Sequence, residues 1–320
     1  MEKAIGIDIG GTKISMTAGN EHGKILAQKV IPTLSGRRTR EGIEQLAAGL
    51  AEIRRRAGGK ISGIGVGIPG PVDSKKGIVP RSPHLPGWEG LPLQKILQKK
   101  MKAPVLMGND ANAAGLGEKI FGQGRGRKNF IYMTVSTGIG SGIIVDGKLL
   151  ERESYVAGEV GHMTLVPDGA RCKCGKKGCL EAYASGTAIA RMGKEEYSRQ
   201  KKTAVLKKWT GGRPVTAQAL GLVARRGDPT ALQVYRCAGF YLGTGIANLL
   251  NILNPELIIL GGGVWNSAPK DFWNAMMKSC KRDAWPQALK AVKIVRSKLG
   301  GHAGDLGALA LGFEAAKTKK

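Results

Sequence analysis

The chain has 320 residues, 42% hydrophobic and 23% charged, enough for two packed lobes and too apolar for a disordered segment. Its net charge of +26 suits a polyanion, an acidic membrane surface or an anionic small molecule. Aromatics are only 5%, however, and do not interleave with the basic stretches at 98–102, 122–128 and 191–213, which argues against a dedicated nucleic-acid surface.

The elements follow in order. Residues 3–11 (KAIGIDIGG) read as a first strand, with a second at 13–19, a hairpin-type break at His22-Gly23 and a third strand at 24–31. Ile43, Leu46, Ala47, Leu50 and Ile53 recur at helical spacing and predict a helix over 40–57. Strand 61–67 is apolar enough to be buried on both faces and ends in Pro69-Gly70-Pro71. A helix at 91–101 and a strand at 104–107 lead to Asn109-Asp110 and a helix of small residues, ANAAGLGEKIF. Strands at 129–135 and 142–145 then flank STGIGSG, and 185–250 is largely helical. Strand 256–260 ends in Gly261-Gly262-Gly263, followed by helix 269–280, strand 291–296 and helix 303–317. Both halves open strand, Gly turn, strand, turn, strand, with no linker between them. The expected lobes are therefore 1–115 plus 300–320 and 116–299.

No apolar run reaches the roughly 18 residues of a membrane span. The best candidate, 242–264, is broken by Asn248, Asn251, Asn254, Pro255 and Glu256. Glu2 and Lys3 enter a strand directly, without the pattern of a secretory leader. Of five cysteines, three crowd into 172–179, which suits a metal site in a reducing, cytoplasmic compartment better than a disulfide framework.

Several segments carry chemistry. In DIGGTK (8–13), Gly10 and Gly11 let backbone N–H groups face phosphate oxygens, Thr12 adds a hydroxyl, and Asp8 offers Mg²⁺ a carboxylate through water. No helix follows, so this is not a P-loop, and the plain alternative is a hairpin turn. A second Gly/Thr turn at Thr137-Gly138 and a third at Gly262-Gly263, suited to an adenosine, together point to a nucleotide. Asp110, at the end of a buried strand, is a candidate base for a hydroxyl proton; Asn109 can bind a sugar hydroxyl as donor and acceptor. The competing reading of Asn-Asp is a helix N-cap. His162, Cys172, Cys174 and Cys179 form a Cys₃His set for a closed, structural Zn²⁺, which would fix Glu159 and Glu181 at the two ends of its loop.

Taken in order, DIGGTK, GIPGPVD, SPHLPGW, GNDANAA, STGIGSG, GEVGH and CKCGKKGCLE resemble the ROK family of sugar kinases and sugar-responsive regulators, over essentially the whole chain. The resemblance implies an α/β, two-lobed actin-like and hexokinase-like (ribonuclease H-like) ATPase fold with a structural zinc loop and ATP in the cleft. It implies that Asp110 is the base, that Asn109, Glu159, His162 and Glu181 surround the sugar, and that Gly70 lies on its far side. Lys13 joins the first phosphate turn, and a family tendency implies a homodimer or tetramer. His84 departs from the Asn of many relatives, and is expected either to shape its loop or to touch the sugar.

The expected activity is therefore ATP-dependent phosphorylation of a hexose at its 6-hydroxyl, with glucose as first choice. N-acetylglucosamine, N-acetylmannosamine and fructose are the alternative sugars, and polyphosphate, favoured by the +26 charge, is the alternative donor. A sugar-responsive repressor would need a helix-turn-helix ahead of the first phosphate turn, which here begins at residue 8.

Overall fold

The computed structural model describes residues 1–79, 85–151 and 154–317; His84 and its alternative roles lie outside them. Two compact units emerge: residues 1–128, 142–158 and 297 onward form the first, and residues 129–141 and 159–296 the second. The chain leaves the first unit between Lys128 and Asn129, beyond the small-residue helix, whereas the sequence places that passage inside the helix.

The first unit contains β1 (Lys3–Ile9), β2 (Lys13–Asn20), β3 (Ile25–Pro32), α1 (Thr39–Ala57), β4 (Gly63–Ile68), α2 (Leu93–Met101), β5 (Val105–Asn109) and α3 (Asp110–Phe121). Its sheet has the order β3-β2-β1-β4-β5; β1 to β3 pair antiparallel, and β4 and β5 run parallel to β1. All six residues of β4 are buried, as its unbroken apolar run requires. On one face Ile5, Ile7, Met16 and Val66 form a core with Leu46, Leu50 and Ile53 of α1.

The chain then runs through β6 (Phe130–Val135), β7 (Ile139–Val145), β8 (Lys148–Leu149), α4 (Glu181–Ala184), α5 (Gly186–Arg199), α6 (Thr203–Thr210), α7 (Ala217–Arg225) and α8 (Pro229–Leu253). It ends with β9 (Leu257–Gly261), α9 (Val264–Ser267), α10 (Lys270–Asp283), α11 (Pro286–Ala291), β10 (Lys293–Arg296) and α12 (Ala303–Lys317). The second sheet has the order β10-β9-β6-β7-β8, with β6, β9 and β10 parallel. Counted from its first strand, this order repeats that of the first sheet, as the shared opening of the two halves predicts.

The helix α12 returns to the first unit and covers the other face of its sheet. It is apolar all round and buried from Asp305 to Phe313, the pattern of a core helix. It lies so close that a Cβ at Gly65 would fall 2.0 Å from the Ala308 carbonyl oxygen, and one at Gly6 would fall 2.4 Å from the Leu309 nitrogen. The glycines of the two central strands thus serve helix-on-sheet packing.

STGIGSG contains a correction to the sequence reading. The strand begins at Ile139, not at 142, so only 136–138 form the turn. Gly142 is a strand residue packed on α3, where a Cβ would meet Gly115 Cα at 3.0 Å. Among the described residues no helix is long and apolar enough to cross a membrane.

Candidate active site

Parallel register brings one set of predicted residues to a single sheet edge in the first unit. Asp8 pairs with Gly67, Gly67 with Gly108 and Ile68 with Asn109, so the carboxyl ends of β1, β4 and β5 lie side by side. Ligands of parallel sheets bind at such edges.

The β5–α3 junction separates two roles that the sequence leaves merged. Asn109 is the N-cap: its side-chain oxygen accepts the N–H groups of Ala111 at 2.9 Å and Asn112 at 3.1 Å, and its Nδ2 donates to the Gly70 carbonyl at 3.1 Å. Both lone pairs of its oxygen are engaged, so a ligand can receive one remaining Nδ2–H, not a donor and an acceptor. Asp110 is the first helical residue, exposed, with Oδ1 accepting the Ala111 N–H at 2.8 Å. Gly70, at φ +94, is held by the Asn109 amide in a conformation suited to glycine.

The first Gly turn joins β1 and β2 as a tight hairpin. Gly10 N–H donates to the Lys13 carbonyl at 2.9 Å, and the Thr33 hydroxyl donates to the Gly10 carbonyl at 2.7 Å. Gly11, Thr12 and Lys13 are exposed. Asp8 lies at the foot of this turn. Burial, reinforced by the charges of Asp110 and Asp305 and eased by Lys13, pushes its carboxyl up to about 6. Asp8 is the carboxylate here that could hold a hydrated Mg²⁺, an ion that keeps several of its waters and needs only one or two protein carboxylates.

Asp305 was missed in the sequence. It is buried at the start of α12, where it accepts from Thr17 Oγ1 at 3.2 Å and Gln28 Nε2 at 2.9 Å. Its neighbour Gly304 is packed on Asp8, where a Cβ would come within 2.4 Å of Asp8 Oδ2. The available signal was the likeness of GDLGALALG to GNDANAAGLG, each an acidic start to a small-residue helix.

The raised Asp8 pKa has a measurable consequence. A carboxyl whose folded pKa exceeds its unfolded value contributes stability at low pH that is lost as pH rises through the folded pKa. The window here runs from 3.8 to about 6. Above it the ionised group costs on the order of 2–3 kcal/mol. Asp8→Asn is therefore expected to raise the melting temperature at pH 8 by about 5 °C without nucleotide, a gain that shrinks as pH falls toward 4. Thermal melts across pH test this, and an Asn variant less stable than wild type at pH 8 would refute it.

In the second unit, parallel pairing of Thr134 with Gly261 places the ends of β6 and β9 together. The turn Thr137-Gly138 therefore neighbours Gly262-Gly263. Gly262 has φ +97, and a Cβ there would lie 2.3 Å from the Val135 carbonyl oxygen. The Thr137-Gly138 and Gly262-Gly263 turns thus lie side by side.

The predicted metal ligands also converge. Ligand atoms of His162, Cys172, Cys174 and Cys179 lie within 4.8 Å of one another. Cys174 and Cys179 Sγ are 3.7 Å apart, as are Cys172 Sγ and His162 Nδ1. Sulfurs about 2.3 Å from one tetrahedral ion stand about 3.8 Å apart, whereas a disulfide needs about 2.05 Å. The geometry fits Zn²⁺. Burial pushes the Cys172 thiol up to about 12, so its thiolate needs a cation beside it. His162 turns its other ring nitrogen, Nε2, toward Glu159 Oε2 at 3.8 Å. Burial raises the Glu159 pKa, with His162 lowering it and Glu181 adding to the rise. Glu181, the first residue of α4, reaches the second turn, where its Oε2 accepts the Ile139 N–H at 2.8 Å.

A family model described as the ROK family matches residues 4–315. The chain is similar to the glucokinase of Thermotoga maritima, with 36% identity over 97% of this chain and 96% of that protein. Among solved structures it is similar to a ROK hexokinase from Thermus thermophilus, with 36% identity, a TM-score of 0.84 and 99% of each chain covered. It is also similar to a ROK family glucokinase from Streptomyces griseus solved with glucose and AMPPNP. Identity there is 34% and the TM-score 0.82, over 98% of this chain and 99% of that one.

Proposed function

We propose that this chain, which belongs to the ROK family, is an ATP-dependent glucokinase that phosphorylates the 6-hydroxyl of glucose. The observation that carries the mechanism is the division of labour at the β5–α3 junction. Asn109 caps the helix, and Asp110 keeps an exposed carboxylate at the helix end. The name of the Thermotoga relative and the glucose and AMPPNP of the Streptomyces structure support this substrate pair.

In this reading Asp110 accepts the proton of the 6-hydroxyl as the oxygen attacks the γ-phosphorus. Asn109 offers its remaining N–H to the sugar, near Gly70. Glu159, His162 and Glu181 recognise hydroxyls around C1–C3. Gly10, Gly11, Thr12, Lys13, Thr137 and Gly138 hold the phosphates, and Gly262 and Gly263 accommodate the adenosine. Asp8 would hold Mg²⁺ through water, and the ion when bound neutralises charge on the phosphates. His162, Cys172, Cys174 and Cys179 would hold a structural Zn²⁺ that keeps Glu159 and Glu181 in place.

The shared strand order of the two sheets supports an actin-like, hexokinase-like fold. Cytoplasmic location, from the clustered cysteines, and homo-oligomer formation, from the family resemblance, complete the proposal.

The test is a coupled assay of glucose, N-acetylglucosamine, N-acetylmannosamine and fructose with ATP, repeated with polyphosphate across a salt series. The expected result is the highest kcat/KM for glucose with ATP. A preference for an N-acetylhexosamine, or turnover with polyphosphate matching that with ATP, would overturn the assignment.

A further inference from the structure

We propose that Glu181 is a positioning residue for the nucleotide turn at 136–138, and that the His/Cys loop preceding it sets that position. The inference rests on the reading of this turn as a phosphate-binding one. It assigns Glu181 a task besides recognising sugar.

Three observations within the second unit support it. The Glu181 carboxylate accepts the N–H of Ile139, the residue that follows Thr137-Gly138, at 2.8 Å. Bonds from an amide to a carboxylate are among the stronger hydrogen bonds. The fit is close, since a Cβ at Gly138 would lie 2.4 Å from the same oxygen.

The backbone after Glu181 extends this grip. Gly186 N–H donates to the Ser136 carbonyl at 2.7 Å, and the Thr187 N–H and hydroxyl donate to the Thr137 carbonyl at 3.3 and 2.8 Å. Segment 181–187 therefore holds the turn at residues 136, 137 and 139. A phosphate turn works only if its N–H groups are already aimed, and these bonds aim them from behind.

The His/Cys cluster flanks Ile139 from both sides. Glu181 follows Cys179 by two residues, and its other oxygen is 3.9 Å from Cys172 Sγ. Gly161, beside His162, presses on the opposite end of Ile139, where a Cβ would fall 2.2 Å from the Ile139 carbonyl oxygen. The N–H of Ile139 is held by a neighbour of one cysteine, and its carbonyl is abutted by a neighbour of the histidine. Order in the loop is thereby order in the turn. Oε2 is engaged by the turn and Oε1 lies against Cys172 Sγ, so a sugar hydroxyl would share this carboxylate with both. Sugar and nucleotide affinities are then coupled through one carboxylate, reciprocally.

The experiment measures AMPPNP binding with Mg²⁺ by calorimetry on the full chain, without sugar. Glu181→Ala is expected to weaken affinity by about tenfold or more, the loss of one charged hydrogen bond. Glu181→Gln retains an oxygen that accepts the Ile139 N–H, and is expected to stay within about threefold of wild type. Gly138→Ala, which displaces the same oxygen without altering Glu181, should weaken affinity in the same direction. So should removal of bound metal by a chelator, with metal content measured alongside. Wild-type affinity in both Glu181→Ala and Gly138→Ala, with only sugar KM affected, would overturn the proposal. Failure of the underlying reading looks different: the wild-type protein itself would not bind AMPPNP.

Discussion

Asp110→Asn is expected to lower turnover by about 10²–10⁴-fold, the usual contribution of a positioned general base. Folding and glucose affinity should survive. The cap of α3 is the Asn109 side chain, which holds the Ala111 and Asn112 N–H groups, so the substitution removes a charge without uncapping the helix. It also removes one of the two negative charges that raise the Asp8 pKa, which should favour the folded state. A loss confined to kcat, with KM for glucose close to wild type and a melting temperature at or slightly above it, is therefore the expected signature. Steady-state kinetics and a thermal melt suffice to check it. Near-normal turnover would show that another group takes the proton.

Loss of the metal from the His/Cys loop is the other large effect. Cys172→Ser, at a buried ligand position, is expected to take bound zinc from one equivalent to near zero and lower the melting temperature by about 10 °C. Binding should also strengthen with pH. Thiols must lose protons to ligate, and burial raises Cys172 and Cys179, so zinc binding releases protons and weakens as pH falls. Metal analysis, a chelator titration at two pH values and melting curves test these points. Cys237→Ser, at a cysteine that is not among the four converging residues, should keep its zinc. Full zinc content in the Cys172→Ser variant would mean that the four residues are not its ligands.

What the sequence could determine was local chemistry. The cluster at 162–179 was legible because closely spaced cysteines and glycines fold around one point without help from distant chain. The hairpin at DIGGTK was legible for the same reason, since its two strands are neighbours in sequence. Tertiary structure decided the rest. Whether Asn109 or Asp110 capped α3 depended on Gly70, 39 residues away, accepting the Asn109 amide. Whether the glycines of STGIGSG made a turn or a strand depended on Gly115, which packs against Gly142. Asp305 joined Asp8 only because α12 returns from the far end of the chain to cover the first sheet. Glu181 reached the second turn because the folded loop carried it there. Residue type and spacing specify what a side chain can do; which atoms remain free to do it is set by hydrogen bonds and packing between segments far apart in sequence.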